Sequence, residues 1–338
     1  MSVEKIVSVN KLGHTWATLD PFLFSVHHLD FFPEGNEKLG PKTGIQGRNI
    51  GQDFSNKDGW SMYHGKEIPG FPYHPHRGFE TITVVEQGIA DHSDSLGSTG
   101  RFGQGDVQWM TAGKGVQHSE MFPLIHSDKS NTLELFQIWL NLPKKNKLVP
   151  PNYQMLWSED IPIIHEKDEN GKAIKIKLIA GDLDSIKALA PPPNSWAADK
   201  ENHLAIWLVK LEAGAKWTLP KSVTGLNKAM YLYNGNTLKV EEYTIDNYHS
   251  IQVDSSQDIQ LEAGNKEVDF LLLQAKPINE PVAQHGPFVM NTEEEIRQAF
   301  NDYRATEFGG WPWPETEYVH SKDKTRFAQY PNGTVEEK

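Results

Sequence analysis

Cysteine is absent from all 338 residues of this chain. That absence excludes a disulfide scaffold, a zinc–thiolate site and an iron–sulfur cluster. Positive charge is also in short supply. Lys+Arg 33 against Asp+Glu 45 leaves a net charge of −12, which argues against a surface for nucleic-acid phosphates. No apolar run approaches the roughly 20 residues that a membrane-spanning helix needs, so no membrane contact is expected. The opening residues, MSVEKIVSVNKLGHTWATLD, lack a basic segment followed by an apolar core. A secretory signal is therefore not expected, and a cytoplasmic location is. What remains is enough chain for two domains with full hydrophobic cores.

The pattern along the chain is mostly strand. Glu80–Val85, Val107–Met110, Leu133–Leu140, Ile174–Ile179, Leu204–Leu211, Ala229–Tyr233 and Val268–Leu273 are short and rich in β-branched or aromatic residues. Gly, Pro, Asn and Asp punctuate them, as barrels and sandwiches of short strands require. Asn141–Asn152 (NLPKKNKLVPPN) reads as a linker, and Pro191-Pro192-Pro193 marks a second break. One helix is signalled, over Glu293–Arg304: Thr292 and Glu295 form a capping box, and Ile296, Ala299, Phe300 and Tyr303 make an apolar stripe. These signals predict an all-β chain with a C-terminal helix. The expected divisions are 1–145, 153–290 and a helix with tail over 291–338. The stretch from Trp311 onward has no assignable place.

Two segments carry the chemistry: His74-Pro75-His76 in FPYHPHRGFETITVV, and His118-Ser119-Glu120 in WMTAGKGVQHSEMF. Each pairs metal-ligating side chains at i and i+2, which a strand points to the same face about 6.6–6.8 Å apart. Two such strands facing one another would gather three imidazoles and a carboxylate around one ion. That set suits a redox-capable first-row metal and leaves coordination positions open. Strand parity also places Glu80 on the face of His74 and His76, so the carboxylate is either Glu80 or Glu120. Other histidines lack a partner at ligand spacing. His27 and His28 are adjacent, hence on opposite faces of a strand, and read as structural or pocket-lining. His92, in ADHSDSLG, reads as part of a solvated turn. From Asn202 to Leu273 no HxH recurs, and Trp217 stands where a ligand might, so the later half is expected to be metal-free.

Glycines recur in a barrel-like rhythm around these segments (Gly70, Gly78, Gly88, Gly103, Gly105, Gly113, Gly115). HxH followed after three residues by Glu80, and Gly105 followed by Thr111-Ala112-Gly113 and then His118, resembles the double motif of a cupin, with Gly88 one residue late. The blocks FPYHPHRGFETITVVEQG and GDVQWMTAGKGVQHSEMFP, with LFQIWLNLP, VPPNYQML and QHGPFVMNTEEEIRQAF, closely resemble pirin, an iron-binding bicupin. The likeness covers most of residues 20–305. FLFSVHHLDFFPEGN departs from it, being longer and richer in histidine.

The resemblance implies two tandem cupin domains, the first holding metal through His74, His76, His118 and Glu120, with Glu80 in a supporting role at most. The C-terminal domain would be metal-free, and GPFVMN would return to the first domain. The implied metal is Fe(II), with zinc, nickel, manganese or copper able to replace it. The implied reaction is a quercetin 2,3-dioxygenase-type opening of a flavonol or related enolic aromatic by dioxygen, with Glu120 as the catalytic proton acceptor. Phe71, Tyr73, Phe79, Trp109 and Phe122 are candidates for an apolar substrate pocket. The alternative is a non-enzymatic protein whose iron oxidation state governs binding to a transcription factor or metabolic enzyme, without direct contact to nucleic acid.

Overall fold

The structure, a computed structural model, describes residues 5–338. The expected all-β character holds: strands dominate, and among the described residues the one α-helix is α1 (Glu293–Thr306). Its capping box is formed as predicted, with the Thr292 hydroxyl accepting from the Glu295 N–H and the Glu295 carboxylate accepting from the Thr292 N–H. Among the described residues, no helix is long and apolar enough to cross a membrane.

The chain forms two compact units, and each draws on two stretches of sequence. One comprises the described residues up to Val26 together with Glu159–Asn279; the other comprises His27–Ser158 and Glu280–Lys338. The linear division at residues 145 and 153 differs from this at both ends, because strands are sorted by register and burial rather than by order. Asn141–Asn152, read as a linker, lies inside the unit that contains His27–Ser158. Leu142 is buried, and the Lys147 ammonium is buried where it donates to the Gly78 and Val289 carbonyls and to Asn141 Oδ1.

In the unit built on Glu159–Asn279, seven strands run in the order Ile6–Lys11, His249–Val253, Asn227–Asn234, Val268–Ala275, Ala205–Leu211, Ala173–Ala180 and Ile163–Lys167. A four-stranded sheet that includes Lys216–Leu219 and Ile259–Ala263 shares one apolar core with it, containing Met230, Trp207, Phe270 and Leu261.

The other unit contains β1 (Phe22–Phe32, from His27 on), β2 (Gly70–His76), β3 (Phe79–Gln87), β4 (Ile89–Asp94), β5 (Thr99–Gly103), β6 (Asp106–Thr111), β7 (Val116–Met121), β8 (Asn131–Asn141) and β9 (Asn152–Leu156). The tail adds β10 (Phe327–Gln329) and β11 (Val335–Glu337). One sheet has the order β9-β6-β3-β8-β1 and the other β11-β10-β5-β4-β7-β2. Strand β2 lies at the edge of its sheet, which is why it tolerates Pro72 and Pro75, residues without an N–H to give.

The tail closes that edge. The Tyr73 N–H donates to the Thr316 carbonyl, Trp311 stacks on Tyr73 at 5.3 Å, and Glu317 accepts from the N–H groups of Lys66, Glu67 and Ile68. The residues from Trp311 onward, unplaceable from sequence, are thus a packed strap over the unit that carries the histidine motifs.

Candidate metal centre

Register brings the two motifs together. In the antiparallel pair of β2 and β7, His74 is directly opposite His118, and His76 is opposite Val116. The ring centroids of His74 and His118 lie 4.5 Å apart, those of His76 and His118 4.9 Å, and those of His74 and His76 4.7 Å. One ligand nitrogen from each of the three can be chosen so that all lie within 4.8 Å of one another. His76 and His118 are buried and His74 half-buried, so the cluster opens on the His74 side.

Local contacts set the tautomers. His74 Nδ1 lies 2.8 Å from the Pro72 carbonyl and His76 Nδ1 3.4 Å from that of Pro287. A carbonyl only accepts, so each Nδ1 carries the hydrogen and each Nε2 keeps its lone pair for a ligand. The Pro287 contact comes from GPFVMN, which lies against the HPH turn as the resemblance implied; Val289 N–H also donates to the Arg77 carbonyl. Gly78 permits that approach. Its φ is +87° and a Cβ there would stand 1.9 Å from the Val289 carbonyl oxygen.

Burial pushes the His74 pKa down to about 4, and those of His76 and His118 well below the usual imidazole range, with repulsion from neighbouring imidazoles, His64 and His92 in the case of His74, adding to it. All three are neutral at pH 7 and need lose no proton to bind a cation. His118 supplies the test of fit. Both of its ring nitrogens are buried without a hydrogen-bond partner, a costly state that a bound metal would relieve. Three neutral imidazoles are a suitable donor set for a divalent first-row ion.

Glu120 is carried on the same face of β7 and is buried, but its oxygens are not within the imidazole group. Oε1 accepts from the Thr83 hydroxyl at 2.6 Å and Oε2 from Gln137 Nε2 at 2.9 Å. Burial raises its pKa above the ordinary carboxylate value. Glu80 is elsewhere. The chain turns at Arg77-Gly78 and enters the other sheet, so strand parity does not carry over from His76. Thr83 points at Glu120, and Glu80, an odd number of residues away, faces the opposite side, accepting from the Thr111 hydroxyl at 2.6 Å. Trp109 shares that far face through its register with Ile82, so it is no pocket residue.

His92 was misread as belonging to a solvated turn. It is fully buried on β4, in register with Glu120, with its ring 5.4 Å from His118 and stacked on Tyr153 at 4.9 Å. The signal available in sequence was its alternation with Ala90 and Asp94 on a strand. Gly100, opposite His92, leaves room for Tyr153, whose hydroxyl would stand 2.7 Å from a Cβ there.

Half-buried Trp139 was also missed. Its ring lies 5.2 Å from His76 and 4.1 Å from Phe79. Phe71 stands 6.4 Å from His74 and packs with Tyr63 and Phe122, while Tyr73 serves the tail. His27 and His28 do diverge. His27 stacks on Phe136 at 4.5 Å, and His28 Nδ1 meets the Tyr63 hydroxyl at 2.8 Å, which in turn donates to Asp30.

Acidification should therefore weaken the metal-free protein. The unfolded imidazoles take up protons near pH 6.5, whereas folded His74 resists until about 4, and folded His76 and His118 until well below the usual imidazole range. The unfolded state binds more protons in that window, so the contribution is neutral above 6.5 and increasingly destabilising as pH falls toward 4. Asp30, raised to about 6 by burial, acts with opposite sign, so the comparison must be between variants. The melting temperature of His118→Asn is expected to fall less than that of the parent between pH 7.5 and 5. Parallel curves would contradict the assignment.

A family model described as Pirin matches residues 9–140, and one described as Pirin C-terminal cupin domain matches residues 206–309. Human pirin is 35% identical over 271 residues, covering 78% of this chain and 87% of that protein. A pirin-like protein of Solanum lycopersicum is 34% identical over 264 residues, covering 76% of this chain and 84% of that protein. A solved structure described as quercetin 2,3-dioxygenase from Acinetobacter baumannii superposes with a TM-score of 0.71 at 28% identity, over 91% of this chain and 99% of that one.

Proposed function

This chain belongs to the pirin family, with two cupin domains, and from that premise we propose that it is an Fe(II)-dependent oxygenase that opens a flavonol of the quercetin type, or a related enolic aromatic, with dioxygen. The observation that carries the proposal is the cluster of three neutral imidazoles, one with both nitrogens unpartnered, from each of which one ligand nitrogen lies within 4.8 Å of the others. The likeness to a protein described as a quercetin 2,3-dioxygenase supports the substrate class.

In this reading His74 and His76 would offer Nε2 to the metal, and His118 would supply the third imidazole nitrogen. Glu120 is the proposed fourth ligand and proton acceptor, its carboxylate exchanging part of its bonding to Thr83 and Gln137. Iron, when bound, would acidify an enolic hydroxyl and supply the one-electron chemistry that dioxygen needs. The protein's own part is to place the substrate. Phe71, beside His74, and Trp139, beside His76, offer apolar ring surface to an aromatic substrate. Thr83 and Gln137 fix the Glu120 carboxyl, so a proton leaving the substrate meets an oriented acceptor.

Two measurements test this. Iron-loaded protein should bleach the long-wavelength absorption of quercetin only with dioxygen present, and His76→Ala should not. A full equivalent of iron with quercetin untouched would sink the oxygenase reading and favour a metal-governed interaction with a protein partner. Glu120→Gln should weaken metal retention, whereas Glu80→Gln, facing away, should leave it near the parent value. Supporting residues that do touch a ligand typically cost roughly 10–100-fold. A larger loss from Glu80→Gln would remove Glu120 from the ligand set.

A further inference from the structure

The connection between β1 and β2, residues 33–69, belongs to the unit that carries the histidine motifs. A buried cation holds its middle. Arg48 donates to Asp53 Oδ2 at 2.9 Å and to the carbonyls of Gly44, Lys57 and Trp60, and its guanidinium lies 3.4 Å from the centre of the Trp60 ring. Charge-assisted bonds of this kind fix geometry as well as adding energy. Within that clamp Asp53 pairs with Tyr63, each backbone N–H donating to the other's carbonyl, at 2.9 and 2.8 Å.

Phe54 and His64 follow those two residues, and their ring centroids lie 5.0 Å apart. Two further bonds tie His64 down. Its backbone N–H donates to the Gly70 carbonyl at the start of β2, and its Nδ1 lies 2.9 Å from the Gly51 carbonyl. From there a row of rings runs to the metal cluster: His64 is 5.8 Å from Phe71, and Phe71 is 6.4 Å from His74. Phe71 is opposite Glu120 in the register of β2 and β7, as His74 is opposite His118, so it stands on the face that carries the cluster. Burial lowers the His74 pKa and repulsion from His64 adds to it, which sets those two imidazoles near one another. The row therefore meets the cluster on the side of half-buried His74, where it opens.

A single exposed phenylalanine is ordinary on a protein surface. Phe54 differs in its setting. It is 43% exposed, yet its ring packs against those of Tyr63, His64 and Phe71, and the Arg48 clamp lies directly behind it in the chain. Rings held in place beforehand can receive another ring without the entropy loss of ordering them.

We propose that Phe54 and His64 form an outer aromatic subsite of the metal centre, which takes the pendant phenyl ring of a flavonol whose 3-hydroxyl and 4-keto oxygens face the histidines. The subsite presupposes the flavonol reading of that centre and adds what sets its preference. A substrate with a second aromatic group beyond its enolic ring reaches Phe54 and His64, and a smaller enol does not.

Anaerobic titration of the iron-loaded, full-length protein with 3-hydroxyflavone and with 3-hydroxychromone tests this. The two share their chelating oxygens and differ only in the pendant ring, and the absorption of each reports its binding. The 3-hydroxyflavone should bind about tenfold more tightly, the worth of one or two aromatic contacts. A Phe54→Ala/His64→Ala double variant should lose that margin while keeping a full equivalent of iron and the parent's affinity for 3-hydroxychromone. Both positions are exposed and the Arg48–Asp53 clamp is untouched, so the variant should fold. No binding of 3-hydroxyflavone, equal affinities in the parent, or a margin that survives in the double variant would each overturn the subsite. So would loss of iron or of 3-hydroxychromone binding in that variant, since the two residues would then support the metal rather than a ring. Binding is read without dioxygen and so apart from turnover. A flavonol that binds with the expected margin and stays intact when oxygen is admitted would end the oxygenase reading alone.

Discussion

Replacing His118 by alanine is expected to abolish stoichiometric metal binding while leaving a folded protein. His118 is opposite His74 in the strand pair and within ring contact of His76, so its loss takes one of three clustered donors and leaves two. The affinity lost should exceed the roughly 10–100-fold that a supporting residue costs. The fold should survive because both nitrogens of His118 are buried and unpartnered. Deleting them removes a desolvation penalty that offsets part of the void left by the ring. Elemental analysis after dialysis measures the metal, and circular dichroism the fold. One full equivalent of metal in a folded His118→Ala protein would end the three-histidine assignment.

Arg101→Met is expected to produce the largest loss of stability. The Arg101 guanidinium is 1% exposed and forms a fork on Asp91, Nε to Oδ1 at 2.7 Å and Nη2 to Oδ2 at 2.8 Å. Its remaining N–H groups donate to the carbonyls of His320, Ser321 and Lys324 in the tail. Methionine fills much of the volume but leaves the fully buried Asp91 carboxylate without its cation. Breaking a buried pair on one side costs about 3–5 kcal/mol, which for a unit of this size is roughly 6–20 °C in melting temperature. The tail should also loosen, so limited proteolysis should cut the variant between Trp311 and Phe327 before the parent. A melting temperature unchanged within about 2 °C would show that the pair is not what holds the strap.

The strands, the capped helix and the two histidine motifs were legible because each is written in residues close together. Alternation places His74 with His76 and His118 with Glu120 on common faces, and Thr292 with Glu295 closes a cap within a single turn. These patterns depend on the geometry of one strand or one helix and need no knowledge of the rest. Parity failed at Glu80 for the same reason that it worked at His76: it holds only while the strand continues, and the chain turns at Arg77-Gly78 into another sheet. His92 was missed because a turn-rich composition beside it hid a strand that β5 and β7 bury on both sides. The sequence by itself determined the fold class, the capped helix and the ligand types offered. Tertiary structure alone decided that His118 meets His74, that Glu120 rather than Glu80 shares their face, that Trp139 and His92 crowd the cluster, and that the tail closes the edge of β2. Those are contacts between residues far apart in the chain, set by strand register and by which buried surfaces fit, and no local periodicity encodes them.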